Sequence, residues 1–138
     1  MVVRNKMENI KITIPLNPVT KKNSQQILIN RATGRPFVMP SPNYKQYEKD
    51  ASFFMPKDLN IDYGVNIKCL FYMKTKRKVD LTNLLEAIDD VLVKCNVLED
   101  DNYTIIKAHD GSRVYYDKEN PRTEIEIELF EAEKEWVK

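Results

Sequence analysis

Acidic side chains gather in one short stretch of the sequence, between positions 80 and 101, which begins DLTNLLEAIDD and ends LEDD. Convergent carboxylates are the ligands that hard cations such as Mg²⁺ prefer, and such a cation activates water and stabilises the leaving oxygen in phosphodiester hydrolysis. Four basic residues stand directly before this stretch, where they can neutralise nucleic-acid phosphates; they are Lys74, Lys76, Arg77 and Lys78. The two adjoining clusters predict metal-dependent phosphodiester cleavage, although an acidic helix face can also be a solvated surface.

The chain has too few cysteines and histidines for several other catalytic chemistries. Cys69 and Cys95 are its only cysteines and His109 is its only histidine, so no zinc site with normal ligand spacing can be assembled. A single distant histidine also argues against a nucleophilic triad. We expect both cysteines to be buried free thiols. The chemistry must therefore use carboxylates, lysines or a metal ion.

Charge is divided unevenly along the chain, although the formal net charge is only +1. Residues 1–78 carry 15 Lys and Arg against 5 Asp and Glu, a net charge of +10, whereas residues 79–138 carry 7 against 16, a net charge of −9. A basic segment suits a polyanion, because neutralised phosphates release their counterions. The two halves can equally neutralise each other across the folded surface, and the sequence leaves both interpretations open.

A helix from Leu81 to about Lys94 would position most of the carboxylates. At 100° per residue its apolar side chains fall on one side; they are Leu81, Leu84, Leu85, Ile88, Val91 and Leu92. The other side carries Thr82, Asn83, Glu86, Asp89 and Asp90. Glu86 and Asp90 are four residues apart and therefore neighbours, and Asp80 falls at the helix N-terminus, where a carboxylate is favoured. The double aspartate of the LEDD turn can fold back towards this acidic face.

The remaining elements are short strands and one further helix. Alternating patterns and turn residues predict strands at Asn9–Pro15, Gln26–Asn30, Pro36–Met39, Val65–Met73, Tyr103–His109 and Arg122–Leu129. The second and third strands form a hairpin, and a helix capped by Ser41 runs from Pro42 to about Met55. Three glutamates alternate along the last strand and indicate an outward acidic face that discourages edge pairing; they are Glu124, Glu126 and Glu128.

Together these elements predict a single α+β domain over residues 1–138, in which two main helices pack on a mixed or antiparallel sheet. We expect its core over about residues 10–129 and a C-terminal tail over 130–138. No apolar run reaches the roughly 20 residues of a membrane span, and the N-terminus lacks the apolar stretch of a signal peptide. We therefore expect a cytoplasmic protein that has no membrane partner.

The stretch over positions 80–101 resembles the RusA family of Holliday-junction resolvases, which is common in phages and prophages. The family pattern is Asp-x-Asp-Asn-Leu, then a helix, then Leu-x-Asp or Leu-Asp-Asp. The segments VDLTNLLEAIDDVL and VLEDDN supply it here with Asp80, Asn83, Leu84, Asp90, Asp100 and Asp101. The basic run before Asp80 matches as well, as does the N-terminal strand with its polar loop, ITIPLNPVTKKNSQ. The resemblance covers about Ile10 to Leu129.

The resemblance implies a homodimeric α+β endodeoxyribonuclease that uses Mg²⁺, with Mn²⁺ as a substitute. It implies that branched DNA is the substrate and that Holliday junctions are resolved by paired nicks, in recombination and repair. Two active sites related by a two-fold axis would suit a two-fold junction.

The candidate site residues follow from the same resemblance, with Glu86 added from the helix face. The catalytic set is Asp80, Glu86, Asp90 and Asp101, and the metal-binding set is Asp80, Glu86, Asp100 and Asp101. We assign DNA binding to Lys74, Lys76, Arg77 and Lys78, together with Lys21 and Lys22 of the polar loop.

Two positions depart from the family pattern. Thr82 stands where well-studied members have their second aspartate, and Glu86 stands where they have a functional lysine. Glu86 lies one helical turn from Thr82 and could supply the missing carboxylate, with Lys78 or Lys94 as the source of positive charge. We favour this compensated interpretation, because it preserves the number of carboxylates. The alternatives are a branched-DNA-binding protein with weakened catalysis and a protein-interaction module whose acidic helix docks a basic partner.

Overall fold

The computed structural model describes residues 9–21, 25–40 and 42–130. In these residues the chain forms seven strands and two helices. In chain order they are β1 (Ile10–Ile14), β2 (Gln25–Ile29), β3 (Pro36–Pro40), α1 (Pro42–Ser52), β4 (Val65–Met73), α2 (Leu81–Lys94), β5 (Ile106–Ala108), β6 (Arg113–Tyr116) and β7 (Arg122–Leu129). The predicted Ser41 cap and most of the predicted C-terminal tail lie outside the described residues.

The main sheet has five strands and is mixed. Strands β1, β7 and β4 lie side by side and antiparallel, with Ile125 of β7 opposite both Ile12 and Cys69. Strands β5 and β6 both pair in parallel with β4. A parallel neighbour requires a crossover connection, and α2 supplies it between β4 and β5. The mixed sheet and its two helices confirm the predicted α+β class.

The core lies where the sheet meets the two helices. The period of two along β4 directs Val65, Ile67, Cys69 and Phe71 into it, and all four are fully buried. From α2 the core receives Leu84, Leu85, Ile88, Val91 and Leu92, none of which is more than 8% exposed. Removing this apolar stripe from water fixes the rotation of α2 about its axis. The polar residues of α2 are therefore held at the margin of the core.

The boundaries of α2 determine where the carboxylates around it fall. The helix begins after Asp80, whose extended backbone (φ −83°, ψ 125°) occupies the N-cap position. It ends at Lys94 with Cys95 as its C-cap, and Asn96 then adopts a φ of 59°, a left-handed conformation that commonly terminates helices. Beyond this turn, Leu98 pairs with Ile61 in a short parallel bridge.

Strands β2 and β3 form a separate antiparallel hairpin, as the sequence predicts. Asn30 closes its turn: the N–H of Asn30 donates to the carbonyl of Arg35 at 2.9 Å, and the Asn30 side-chain oxygen accepts from the N–H of Ala32 at 2.8 Å. Gly34 has a φ of 70°, which glycine adopts without steric cost. The hairpin does not extend the main sheet.

Two predicted elements are shorter than the sequence suggests. Helix α1 ends at Ser52 instead of about Met55, because the next three residues form a tight turn with bonds to carbonyls three residues earlier. The strand predicted over Tyr103–His109 is reduced to β5, because the carbonyl of Asn102 accepts hydrogen bonds from the N–H groups of both Ile105 and Ile106. Local turns compete with the extended conformation in both places.

The environments of β6 and β7 also differ from expectation. Strand β7 is an interior strand between β1 and β4, so the interpretation of its glutamates as protection of an edge is wrong. Glu124, Glu126 and Glu128 instead accept hydrogen bonds from Arg122 (2.7 Å), Asn9 (2.7 Å) and Asn66 (3.1 Å), respectively. The sequence does not predict β6, whose four residues are all exposed and which exists through its pairing with β4.

Neither helix in the described part of the chain has the length and apolar character that crossing a bilayer requires.

Candidate active site

An open pocket of about 200 Å³ joins α2 to the loop that follows it and to the end of β5. Its lining residues are Thr82, Leu85, Glu86, Asp89, Asp101 and His109. Two residues of the predicted site, Glu86 and Asp101, therefore share one pocket. Asp89 and His109 lie there as well, although the sequence analysis gave neither of them a site role.

The spacing along α2 explains which of its residues reach this pocket. Thr82, Glu86 and Asp89 follow one another at intervals of four and three residues, which places them on one face of the helix. Leu85 lies beside them and is 8% exposed, so this face borders the apolar core. The pocket therefore combines polar side chains with the apolar side chain of Leu85.

The loop carrying Asp101 is anchored at its start by the bridge to Ile61. The N–H of Ile61 donates to the carbonyl of Val97 at 3.0 Å, and the N–H of Glu99 donates to the carbonyl of Ile61 at 2.9 Å. These bonds hold the LEDD turn against the body of the protein. Asp101 is exposed and directed into the pocket from this loop.

The surroundings of Asp100 differ from those of Asp101. One of its carboxylate oxygens accepts from the N–H of Asp101 at 2.8 Å, and the other accepts from the side-chain amide of Asn102 at 3.0 Å. The bond from the Asp101 N–H, followed by that from Asn102, lowers the pKa of Asp100. Asp100 thus shapes the turn that presents Asp101, which is a local structural role that the sequence does not reveal.

Asp89 is hydrogen-bonded to His109. The Nε2 atom of His109 lies 3.0 Å and 3.1 Å from the two carboxylate oxygens of Asp89, and the two side chains are only 13% and 26% exposed. Burial raises the pKa of Asp89; the bond to His109 opposes that rise, and the charges of Asp101 and Asp90 add to it. Asp89 is therefore not a solvated acid on a helix surface.

The turn that carries His109 is held by a buried side chain of β4. Asn66, which is 4% exposed, accepts from the N–H of Asp110 at 2.7 Å and donates to the Asp110 carbonyl at 3.2 Å. The N–H of Ser112 donates to the carbonyl of His109 at 3.2 Å, and Gly111 closes the turn with a φ of 88°. The backbone on the C-terminal side of His109 is thus fixed to the centre of the sheet.

Asp90 is directed to another part of the surface. Its carboxylate lies 2.8 Å from the Nζ atom of Lys21, which comes from the polar loop after β1. The hydrogen bond to Asp90 is the main cause that raises the pKa of Lys21, and the charges of Glu86 and Glu48 contribute to the same rise. Lys21 therefore brings a positive charge close to both Asp90 and Glu86. Lys94 pairs instead with Glu48, at 2.8 Å.

Asp80 occupies the N-cap position of α2 but makes no side-chain capping bond to the helix backbone. Its carboxylate accepts from the side-chain amide of Asn83 at 3.2 Å and is exposed. Asp80 is not among the residues that line the pocket of Asp101. The structure places it at the end of α2 from which Thr82 enters that pocket.

The predicted DNA-binding residues between β4 and α2 are all exposed. Arg77 and Lys78 line a second open cavity of about 330 Å³, together with polar side chains of the loop after β1 and of α1. That loop is tied to the basic run, because Asn17 accepts from the N–H of Lys74 at 3.0 Å. Lys76 lies 5.0 Å from the centre of the Tyr116 ring. Lys22 falls outside the described residues.

The oxygen donors of the pocket determine which ions it suits. No three Asp, Glu, His or Cys side chains in the described ranges lie close enough together to enclose a metal ion. Mg²⁺ does not require such a cage, because it keeps several waters and binds through one or two carboxylates and substrate phosphates. Glu86 and Asp101, which both face the open pocket, fit a hard, hydrated cation of this kind.

The sequence does not single out Asp89 or His109, which both line the pocket. The helical pattern does place Asp89 on the polar face, but His109 is 20 residues away, beyond the end of α2, a loop and a strand. The only available signal was that the single histidine is the last residue of a predicted strand. Its partner becomes visible only when the parallel pairing of β5 with β4 is known.

Two comparisons with known proteins agree with the resemblance seen in the sequence. A family model described as endodeoxyribonuclease RusA matches residues 15–128. A curated relative, the crossover junction endodeoxyribonuclease RusA of Aquifex aeolicus (strain VF5), is 27% identical over 116 residues, which cover 82% of this chain and 87% of the relative. All the residues that line the pocket lie within the span of the family model.

Proposed function

The chain belongs to the RusA family of endodeoxyribonucleases, and from this premise we propose that it is a divalent-metal-dependent nuclease that resolves Holliday junctions and other branched DNA by paired nicks. One observation carries the proposal: Asp101 and Glu86, which come from separate segments of the chain, line the same open pocket. The two-fold symmetry of a junction further suits a homodimer. A role in DNA recombination and repair would follow from this substrate.

In this proposal the carboxylates of Asp101 and Glu86 hold Mg²⁺ or Mn²⁺, and Asp80 acts from the N-terminal end of α2. The chemistry that such an ion supplies when bound is activation of water and stabilisation of the leaving oxygen. The presence of Glu86 in the pocket supports the compensated interpretation, in which it replaces the carboxylate that Thr82 lacks. The protein then contributes to the reaction by placing acidic side chains around one phosphodiester bond.

We propose that Lys21 also supplies positive charge near the site. The sequence analysis named Lys78 or Lys94 as the replacement for the lysine that the family has at the position of Glu86. The Nζ atom of Lys94 is engaged by Glu48 and that of Lys21 by Asp90, but the charge of Lys21 also interacts with Glu86. We therefore assign this role to Lys21.

The path of the DNA backbone is proposed along the basic run between β4 and α2. Arg77 and Lys78 line a cavity there with polar side chains, which are Asn17, Thr20, Asn43 and Thr75. Guanidinium, ammonium, amide and hydroxyl groups are the donors that contact DNA phosphates. The N-terminus of α2 follows directly and adds the positive end of its dipole.

The decisive experiment compares Asp101→Asn and Asp80→Asn with wild type on a synthetic four-way junction in Mg²⁺. We expect symmetric nicks from wild type and a loss of at least about 100-fold in each variant, while gel-shift binding at low salt persists. Asp62→Asn, which removes an exposed carboxylate outside the pocket, is the matched control and keeps full activity. Unchanged nicking by both Asp101→Asn and Asp80→Asn would refute the site assignment.

One observation supports a second candidate function, that of a branched-DNA-binding protein with weakened catalysis. Thr82 lines the pocket at the position of the missing family aspartate. In that case wild type binds junctions but does not nick them in Mg²⁺ or Mn²⁺, and Thr82→Asp restores nicking. The third hypothesis, an acidic docking helix, loses support, because Asp89 and Asp90 are both paired within the chain.

A further inference from the structure

We propose that His109 is a positioning residue of this site: it orients the carboxylate of Asp89 towards the waters of the cation that Glu86 and Asp101 would hold. The inference rests on the proposed nuclease function and deepens it. It assigns a role to the only histidine of the chain and to an acid that the family pattern does not include.

The first argument is the location of Asp89 relative to Thr82. The two residues are seven positions apart on α2 and therefore lie on the same face, about two turns from each other. Glu86 lies between them, and all three line the pocket that Asp101 enters. An acid at position 89 can thus face the same space as an acid at position 82.

The second argument is the way in which His109 holds Asp89. The Nε2 atom lies almost equally far from both carboxylate oxygens, at 3.0 Å and 3.1 Å. A carboxylate offers about four acceptor positions, so a single ring nitrogen does not occupy all of them, and Asp89 also lines the pocket. His109 therefore fixes the orientation of the group and does not exhaust its capacity to bind.

The third argument is that the fold fixes His109 itself. The side chain of Asn66 holds the backbone of Asp110 with two hydrogen bonds, and it also donates to Glu128 on β7 at 3.1 Å. A fully paired buried amide of this kind defines one arrangement of the turn. Some residues hydrogen-bond to groups around a metal ion without contacting the ion themselves. Removing such a residue typically weakens metal binding by 10- to 100-fold.

A purely structural tie between α2 and β5 is the competing explanation, and metal binding separates the two. The experiment measures Mn²⁺ affinity of the full chain without DNA, by calorimetry and by the electron paramagnetic resonance of bound Mn²⁺, together with the melting temperature. We expect Asp89→Asn and His109→Ala each to weaken Mn²⁺ binding by at least about 10-fold. His109→Gln, whose amide nitrogen can occupy the position of Nε2 and donate to Asp89, stays within about threefold of wild type, and Asp62→Asn is unchanged.

A nicking assay adds a second readout. Nicking by His109→Ala recovers at high Mn²⁺, because a positioning residue changes the metal concentration required more than the maximal rate. If Asp89→Asn and His109→Ala both bind Mn²⁺ within twofold of wild type, whatever their melting temperatures, the pair is only structural and the inference is overturned. A wild-type chain that neither binds Mn²⁺ nor nicks junctions overturns the proposed function together with it.

Discussion

Asp89 and Asp90 are adjacent in the sequence, yet their carboxylates meet different partners. One step along a helix rotates the side chain by about 100°, so Asp89 reaches His109 and Asp90 reaches Lys21. The sequence identifies both as acids on the polar face of α2, and we chose Asp90 from the family pattern. Their partners lie 20 and 69 positions away, and helical periodicity carries no information about such contacts.

The environment of Asp89 predicts a trade-off between function and stability. Its folded-state pKa is raised, mainly by burial, above the roughly 3.9 of an unfolded aspartate. The folded protein then binds more protons than the unfolded chain as the pH rises above about 3.9, so this group lowers stability with rising pH. Asparagine has a similar shape and carries no charge at any pH.

We therefore expect Asp89→Asn to raise the melting temperature by about 2 °C at pH 7 in a metal-free buffer, even though it impairs the proposed activity. The gain disappears below about pH 3.9, where the wild-type carboxylate is protonated as well. Calorimetric melts from pH 3 to pH 7 test both statements. A variant that melts below wild type at pH 7 would show that the hydrogen bond with His109 outweighs the cost of burial.

At the scale of secondary structure, Asn66 connects three elements of the sheet. From β4 it bonds to the backbone after β5 and to Glu128 of β7. Asn66→Ala leaves the N–H and carbonyl of Asp110 without these partners, and we expect it to reduce the free energy of unfolding by about 1–3 kcal/mol. Urea denaturation followed by circular dichroism measures this difference.

The control is Asn9→Ala, since Asn9 also donates to a glutamate of β7 but is exposed. Loss of this surface bond should change the free energy of unfolding by less than about 0.5 kcal/mol. If the two substitutions lower the free energy of unfolding equally, the burial of Asn66 does not increase what its hydrogen bonds contribute to stability.

The elements illustrate what the sequence can and cannot predict. Strand β4 and helix α2 have the bounds that hydrophobic periodicity predicts, because each buries a face whose pattern is visible along the chain. Strand β6 has no such face and is stabilised by a neighbour, as in the stacking of Tyr115 on Tyr72 with ring centres 5.1 Å apart. The position of β7 inside the sheet likewise depends on long-range pairing and not on its own alternation.

At the scale of the whole molecule, the basic and acidic halves of the chain are interleaved. Lys21 of the basic half pairs with Asp90, and Glu48 pairs with Lys94 of the acidic half. The basic residues that follow β4 remain exposed. Both interpretations that the sequence left open thus describe part of the molecule: some charges are paired within it, and others are available to a polyanion.

Lys21 tests the polyanion interpretation, because it is a basic residue beside the acidic site. We expect Lys21→Met to weaken binding to a four-way junction and to reduce the slope of log affinity against log salt by about 1. Stability should fall by less than about 1 kcal/mol, since the ion pair with Asp90 is partly exposed. Fluorescence anisotropy across a salt series provides the slope.

Lys57→Met removes the same charge from an exposed position after α1 and should leave the slope unchanged. A loss of affinity with an unaltered slope in Lys21→Met would mean that Lys21 does not contact a phosphate.

The interior position of β7 also bears on how the protein is made. It follows all the other described strands along the chain, yet it separates β1 from β4. While the ribosome is still synthesising the preceding residues, those two strands have no partner between them, and Asn66 lacks its bond to Glu128. Asn66, which holds the turn of His109, then lacks one of its partners, so the nascent chain carries all the acids of the site before this support is complete. Catalytic competence should arise late in biosynthesis, after the nascent strand β7 has left the ribosomal tunnel.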